Sequence, residues 1–169
     1  MTGPVVVLVG PPGAGKTTVG QLLAGRLGVP FRDTDVDVES VAGKPVAEIF
    51  IDDGEPAFRA MERDAVMTAL TTHDGVLAVG GGAVVDPQTR KDLAQRTVVW
   101  LTVGLADATK RVGLARDRPV LTLNPRSTLA RLLKERASLY AEVATLTVET
   151  DDRDPAAIAD DIVNALAVW

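Results

Sequence analysis

The 169-residue chain has no cysteine, so neither a disulfide framework nor a thiolate metal site is available to it. It also lacks a basic excess: 18 Lys and Arg stand against 23 Asp and Glu, for a net charge of -5. Broad nucleic-acid binding calls for a basic footprint, so we expect no nucleic-acid partner. The single histidine, His73, lies in a polar THDG segment, and we expect no catalytic role for it.

Long hydrophobic runs are missing as well. The first ten residues, MTGPVVVLVG, have no basic region, and their apolar run covers only residues 5–9. Such a run is too short for a signal peptide or a membrane span, so we expect a cytoplasmic protein without a membrane partner. With 46% hydrophobic and 24% charged residues, residues 1–169 have the composition of one globular domain.

Short apolar runs alternate with helical periodicity along the chain. The continuous β-branched run VVVLV is typical of a strand buried on both faces. Strands are predicted at residues 5–9, 31–34, 76–79, 97–103 and 146–149. Helices are predicted at residues 16–27, 36–42, 46–51, 55–71 and 87–94, then up to about 111, at 127–143 and at 155–168. This alternation predicts a three-layer α/β fold with a parallel sheet.

The segment GPPGAGKT, residues 10–17, fits the P-loop pattern G-x-x-x-x-G-K-[ST] between a predicted strand and a predicted helix. Its glycines let backbone N–H groups surround phosphate oxygens, and the helix N-terminus adds further donors. We therefore predict a nucleoside triphosphate site in which Lys16 reaches the β- and γ-phosphates and the Thr17 hydroxyl binds Mg²⁺. The residues expected to contact the nucleotide phosphates are Gly13, Ala14, Gly15, Lys16, Thr17 and Thr18.

The kind of P-loop protein follows from what else the chain contains. The D-x-x-G and N-K-x-D motifs of switch GTPases are absent, and the length leaves little room for motor or transporter elements. A compact kinase remains, which must close over its substrate to keep water from the γ-phosphate.

Further motifs resemble those of one family, the shikimate kinases. They are DTD (33–35), GE-x-x-FR (54–59), VGGGAV (79–84), RP (118–119) and R-x-x-LY (136–140). The resemblance implies phosphorylation of the 3-hydroxyl of shikimate with ATP and Mg²⁺, in chorismate and aromatic amino-acid biosynthesis. It also implies a five-stranded parallel sheet of order 2-3-1-4-5 and a monomer.

The same resemblance assigns a substrate-binding segment at about residues 33–62. A planar carboxylate is best bound by guanidinium groups, and Arg59 and Arg136 match the arginines that bind the carboxylate of shikimate. Glu62, three residues after Arg59, is expected to orient it. The backbone N–H groups of Gly80, Gly81 and Gly82 are expected to meet substrate and phosphate oxygens, because glycines permit close approach at the end of a strand.

Three aspartates, Asp33, Asp35 and Asp37, stand at alternate positions, a spacing that would place them on one face of an extended strand. The resemblance implies that Asp33 supports Mg²⁺ through a bound water. It makes Asp35 the residue that accepts hydrogen bonds from the substrate hydroxyls and deprotonates the attacking one. Asp37 is interpreted as an acid in the first turn of the next helix.

Residues 113–126 have no clear period and resemble the family's lid, in which Arg118 reaches the transferred phosphoryl group. Arg111 and Pro155 are expected to sandwich the adenine ring. Arg153 is assigned to the same pocket, with a place in a solvated turn as the alternative.

The nearest alternative function is that of gluconate kinase or another small-metabolite P-loop kinase, which shares the P-loop and an acidic strand end. Nucleoside monophosphate kinases lack the combination of DTD and GGG. A regulatory nucleotide-binding module should have lost Lys16, Asp35 or Arg118, and all three are present.

Overall fold

The structure is a computed structural model that describes residues 3–112 and 125–168. Its sheet is formed by β1 (Val6–Val9), β2 (Phe31–Asp33), β3 (Val76–Ala78), β4 (Val98–Thr102) and β5 (Leu146–Glu149). All pairings are parallel, and the strand order is β2-β3-β1-β4-β5. The expected sheet and its order are therefore confirmed, with most strands slightly shorter than predicted.

The helices also follow the predicted pattern. They are α1 (Lys16–Leu27), α2 (Thr34–Ala42), α3 (Val46–Asp52), α4 (Glu55–Thr72), α5 (Pro87–Leu93), α6 (Leu105–Val112), α7 (Pro125–Val143) and α8 (Pro155–Leu166). A 3₁₀ turn at Ala83–Val85, which the sequence pattern did not predict, follows the three glycines. Across the two described ranges, no helix is both long enough and apolar enough to cross a membrane.

Helix α2 starts earlier than predicted because Asp33 caps it. The Oδ1 atom of Asp33 accepts a hydrogen bond from the backbone N–H of Asp35 at 2.9 Å. Aspartate is a favoured N-cap because its short side chain satisfies a helix donor that has no partner inside the helix. The strand therefore ends at Asp33, and Thr34 already lies in the helix.

The central strand β1 is buried on both faces, as its apolar run predicted. Val6 and Leu8 join the core beneath α1 and α8, whereas Val7 and Val9 join the core on the opposite face beneath α4 and α5. This two-sided packing follows from the alternation of side chains along a strand. It holds the carboxyl end of β1, and the P-loop that follows it, at the centre of the sheet edge.

A third, smaller core lies beside the sheet. Val38 from α2, Ile49 from α3 and Phe58 from α4 form its buried centre. Phe50 packs against Phe58 with ring centroids 4.8 Å apart. These contacts make a packed unit of the segment that the sequence assigned to substrate binding.

Candidate active site

The P-loop between β1 and α1 turns at glycines that have positive φ angles. Gly13 and Gly15 have φ values of 84° and 90°, in the region that side chains with a Cβ rarely enter. Lys16 Nζ donates hydrogen bonds to Gly10 O at 2.6 Å and to Pro11 O at 3.2 Å. The ammonium group therefore lies over the loop, at the mouth of the predicted phosphate site.

Thr17 and Asp33 meet beside this loop. The Thr17 hydroxyl donates to Asp33 Oδ2 at 3.1 Å, while the other carboxylate oxygen caps α2. A hydroxyl and a carboxylate are the oxygen ligands that Mg²⁺ accepts. Over residues 3–112 and 125–168, no cluster of three or more His, Cys, Asp or Glu side chains could hold a metal. The Thr17 hydroxyl and the Asp33 carboxylate fit Mg²⁺, which is commonly bound by few protein ligands and completes its coordination with waters and phosphate oxygens.

The structure does not place the three aspartates at alternate positions on one strand face. Because α2 begins at Thr34, Asp33 caps the helix while Asp35 and Asp37 lie in its first turn. Asp37 accepts a hydrogen bond from Arg32 Nε at 2.6 Å. Its predicted place in the first helical turn is confirmed.

The glycine loop, residues 80–82, follows β3 and lies against charged side chains. A Cβ on Gly80 would lie 2.6 Å from Glu62 Oε2 and 2.8 Å from Asp35 Oδ1. A Cβ on Gly82 would overlap the guanidinium group of Arg59. The loop therefore lies against both Asp35 and Arg59, two of the predicted substrate residues.

The glycine loop also touches the P-loop. A Cβ on Gly81 would lie 3.1 Å from Pro12 Cδ and 3.3 Å from Gly10 O. The predicted substrate residues and the predicted phosphate site therefore share one edge of the sheet. This is the edge at which open α/β folds bind their ligands.

Two hydroxyl groups that the sequence analysis did not single out bind the glycine loop. Gly80 N donates to Thr34 Oγ1 at 3.2 Å, and Tyr140 OH donates to Gly81 O at 2.6 Å. The N–H of Gly80 was expected to contact the substrate. In the structure it donates its hydrogen bond to the Thr34 hydroxyl. Thr34 stands inside DTD and Tyr140 ends R-x-x-LY, so both motifs carried a signal for these contacts.

Glu62 holds Arg59 as the sequence predicted. Arg59 Nη1 donates to Glu62 Oε1 at 2.8 Å, and Arg59 Nη2 pairs with Glu55 Oε1 at 3.3 Å. Burial raises the pKa of Glu62, while the Arg59 and Arg136 guanidinium groups oppose that rise. Both arginines predicted to bind the carboxylate therefore act electrostatically on Glu62.

The raised pKa of Glu62 predicts a pH-dependent stability. A carboxyl whose folded pKa lies above its ordinary value of 4.5 contributes stability that is present below that value and is lost as pH rises. Glu62→Gln stays neutral at every pH and has a similar shape, so it serves as the reference. We expect the Tm of the wild type, relative to Glu62→Gln, to fall as the pH rises above 4.5. A Tm difference that does not change with pH would contradict the raised pKa.

A cavity of about 190 Å³ lies at the other end of the P-loop, away from the glycine loop. Its lining brings together all three residues predicted for the adenine pocket, Arg111, Arg153 and Pro155, with Ala14, Gly15 and Thr18 of the P-loop region.

Arg111 is held firmly in this cavity. Its Nη1 donates to Gly13 O at 2.9 Å and to Thr150 Oγ1 at 3.1 Å. Hydrogen bonds to a guanidinium lie in its plane, so they are compatible with stacking of a ring on its face. Arg153 pairs with Asp161 at 2.5 Å.

The predicted lid is largely outside the described residues. Arg118 and the rest of residues 113–124 fall there. The end of the predicted loop is wrong, because Pro125 and Arg126 already belong to α7.

A comparison with protein families supports the resemblance seen in the motifs. The family model described as "Shikimate kinase" matches residues 12–167. The chain belongs to the shikimate kinase family. Membership makes it a P-loop kinase, a phosphotransferase that uses a nucleotide, so the expected family and enzyme class are confirmed.

Individual relatives cover almost the whole chain. A shikimate kinase of Salinispora arenicola is 60% identical over 164 residues, which are 97% of this chain and 98% of that protein. The structure of a shikimate kinase from Acinetobacter baumannii in complex with shikimate superposes with a TM-score of 0.94 at 37% identity. It covers 99% of this chain and 94% of its own.

A gluconokinase from Sinorhizobium meliloti has a TM-score of 0.60 at 19% identity, covering 98% of this chain and 92% of its own. At that identity, the likeness shows a shared fold and carries no information about the substrate.

Proposed function

We propose that the protein transfers the γ-phosphoryl group of ATP to the 3-hydroxyl of shikimate, yielding shikimate 3-phosphate and ADP. The reaction belongs to chorismate and aromatic amino-acid biosynthesis. The observation that carries the proposal is the packing of Asp35 and Arg59 on one glycine loop, which also contacts the P-loop. A carboxylic acid that also carries hydroxyls matches this combination of a cation, an acceptor and a neighbouring phosphate site.

The carboxylate of shikimate is assigned to Arg59 and Arg136. Arg59 is oriented by Glu62 at 2.8 Å, which fixes its guanidinium before the substrate arrives. A guanidinium held in place loses less rotamer freedom on binding than a mobile one. The N–H groups of Gly81 and Gly82 are assigned to substrate and phosphate oxygens, and Gly80 lines the pocket.

Asp35 is assigned to the attacking hydroxyl. Its carboxylate lies beside Gly80 and can accept the proton of the 3-hydroxyl as the new O–P bond forms. Because phosphoryl transfer has a loose transition state in most analyses, the larger part of this role is holding the oxygen in line. Arg118 is assigned to the equatorial phosphoryl oxygens, as the family resemblance implies.

The nucleotide side is assigned to the P-loop and the cavity beside it. Residues 13–18 bind the phosphates, with Lys16 on the β- and γ-phosphates, and Arg111, Arg153 and Pro155 surround the adenine. Thr17 and Asp33, which meet at 3.1 Å, are the residues that would hold Mg²⁺, Asp33 through a bound water. When bound, Mg²⁺ neutralises charge on the β- and γ-phosphate oxygens.

The remaining parts of the proposal concern the state of the protein. We assign it one domain over residues 1–169, a monomeric state, a cytoplasmic location and no nucleic-acid or membrane partner. Light scattering behind size-exclusion chromatography would check the monomer, and a stable dimer would contradict it.

The substrate assignment is tested by a coupled assay of ADP release. Shikimate, gluconate and AMP are supplied in parallel, each with ATP and Mg²⁺, and phosphorus NMR identifies the product. We expect turnover with shikimate and background ADP release with the other two acceptors. Turnover with gluconate and none with shikimate would overturn the assignment.

Arg136→Ala should raise the KM for shikimate by about 10- to 150-fold, the equivalent of ~1.5–3 kcal/mol for one charge-assisted contact. The KM for ATP and kcat should change little, because the contact exists in the ground state and the transition state alike. Arg131→Ala, an exposed arginine on the same helix, is the matched control and should behave as wild type. An unchanged KM for shikimate in Arg136→Ala would place the carboxylate elsewhere.

A further inference from the structure

The glycine loop is held from two sides by buried hydroxyl groups to which the proposed reaction gives no task. Thr34 Oγ1 accepts the N–H of Gly80 at 3.2 Å, and Tyr140 OH donates to Gly81 O at 2.6 Å. Thr34 is 0% exposed and Tyr140 is 1% exposed. The bond to Thr34 is buried and the bond from Tyr140 is partly buried, so the loss of either hydroxyl leaves a polar group of the loop without its protein partner.

Each hydroxyl comes from an element that also bears a proposed substrate residue. Thr34 directly precedes Asp35 in the first turn of α2, and Tyr140 lies one helical turn after Arg136 on α7. Residues four apart on a helix face the same side. The two bonds thus join the glycine loop to the helices that carry the proposed acceptor of the hydroxyl proton and a proposed carboxylate-binding arginine.

The surroundings of Tyr140 keep its hydroxyl in the donating form. Its ring packs against Trp100 with centroids 5.7 Å apart, which holds the side chain in the core between β4 and α7. Burial raises the pKa of Tyr140 to about 12, against the lowering influence of Arg136. A neutral phenol therefore donates to Gly81 O across the pH range of any ordinary assay.

A loop of three consecutive glycines needs such anchors. Glycine has the largest backbone freedom of any residue, so an unanchored loop would sample many arrangements at a large entropic cost on binding. Phosphoryl transfer depends on placing the acceptor oxygen in line with the phosphorus, and small displacements lower the rate. The Thr34 and Tyr140 hydroxyls supply anchors at Gly80 N and Gly81 O.

We propose that Thr34 and Tyr140 are positioning residues that fix the glycine loop in the arrangement required to bind shikimate. The inference rests on the proposed function, because it concerns the substrate side of the same site. Thr34 acts on the N–H of Gly80 and Tyr140 on the carbonyl of Gly81. Neither side chain needs to touch the substrate.

The test uses variants that remove one hydroxyl and keep the shape of the side chain. Thr34→Val and Tyr140→Phe should each raise the KM for shikimate by about 5- to 20-fold, while the KM for ATP stays within about twofold. Thr34→Ser keeps the hydroxyl and should retain the wild-type KM for shikimate. This rescue distinguishes the hydrogen bond from general packing at Thr34.

Thr150→Val is the matched control on the nucleotide side. Thr150 is also 0% exposed, and its hydroxyl donates to Thr102 O at 2.7 Å. It bonds Arg111 rather than the glycine loop, so its loss should raise the KM for ATP and leave that for shikimate within about twofold. Tm measurements on all variants separate loss of folding from loss of binding.

A second readout does not depend on turnover. Trp100 packs on Tyr140, and the chain has only one other tryptophan, Trp169. In a Trp169→Phe background, the fluorescence of Trp100 should report shikimate binding, with a Kd raised about 5- to 20-fold by Thr34→Val.

The outcomes separate the two proposals. If the wild type turns over shikimate but Tyr140→Phe and Thr34→Val keep its KM and Kd, the positioning role is wrong and the proposed function stands. Equal rises in both KM values would also overturn the positioning role. If the wild type does not turn over shikimate, the proposed function itself fails.

Discussion

Asp35→Asn should lower kcat for shikimate phosphorylation by about 10²- to 10⁴-fold, the usual contribution of a positioned acid or base. Asparagine keeps the size of the side chain but cannot take the proton of the attacking hydroxyl. The Asp35 carboxylate lies against Gly80, in the glycine loop that contacts the P-loop. We therefore expect it to act on the hydroxyl that accepts the phosphoryl group. The KM for ATP should change little, because the nucleotide is assigned to other residues.

Asp37→Asn is the matched control for this experiment. Asp37 lies in the same helical turn but pairs with Arg32 at 2.6 Å, and the proposed reaction gives it no task. Steady-state rates of both variants, with saturating ATP and shikimate, make the comparison. Near-wild-type kcat in Asp35→Asn would remove the proposed role, whereas an equal loss in both variants would point to a disturbed α2.

Lys16→Ala should lower kcat by about 10³-fold, at the upper end of what removal of one preorganised electrostatic contact costs. The ammonium lies over the P-loop, 2.6 Å from Gly10 O and 3.2 Å from Pro11 O. From this position it can follow the negative charge that shifts between the β- and γ-phosphates during transfer. Alanine removes the charge and leaves the backbone of the loop in place.

Lys91→Ala controls for the loss of a lysine, because Lys91 is exposed on α5. It should retain wild-type kcat. Single-turnover rates with pre-bound ATP separate a loss of chemistry from a loss of nucleotide binding. If Lys16→Ala kept wild-type single-turnover rates, the lysine would be a binding residue without a role in the transfer step.

Most of the fold could be predicted because the signals are local. The β-branched run of β1, the periodicity of α1 and the Asp-Pro starts of α5 and α8 each lie within a few residues. Strand order was implied only by the family resemblance, since pairing joins segments that are far apart in the chain. The 3₁₀ turn at Ala83–Val85 was missed because short turns of this kind have no clear period.

The sequence predicted many residues of the candidate site, but it predicted fewer of the contacts between them. The motifs named Asp35, Arg59 and the glycines, and the structure brings these together. The bonds from Thr34 to Gly80 and from Arg111 to Gly13 span 46 and 98 residues. The motifs marked residues at the ends of these bonds but did not say which residue pairs with which, because the pairing depends on which strands become neighbours.

For Asp33, Asp35 and Asp37, the local sequence and the tertiary structure supplied different information. Their residue types and the P-loop before them were enough to indicate a kinase with an acidic strand end. Their roles required the fold. Asp33 ends β2 and caps α2, so the strand stops there, and the helix turns Asp35 toward the glycine loop and Asp37 toward Arg32. One local hydrogen bond overrides the two-residue alternation, and parallel pairing of β2 with β3 brings the glycine loop within reach.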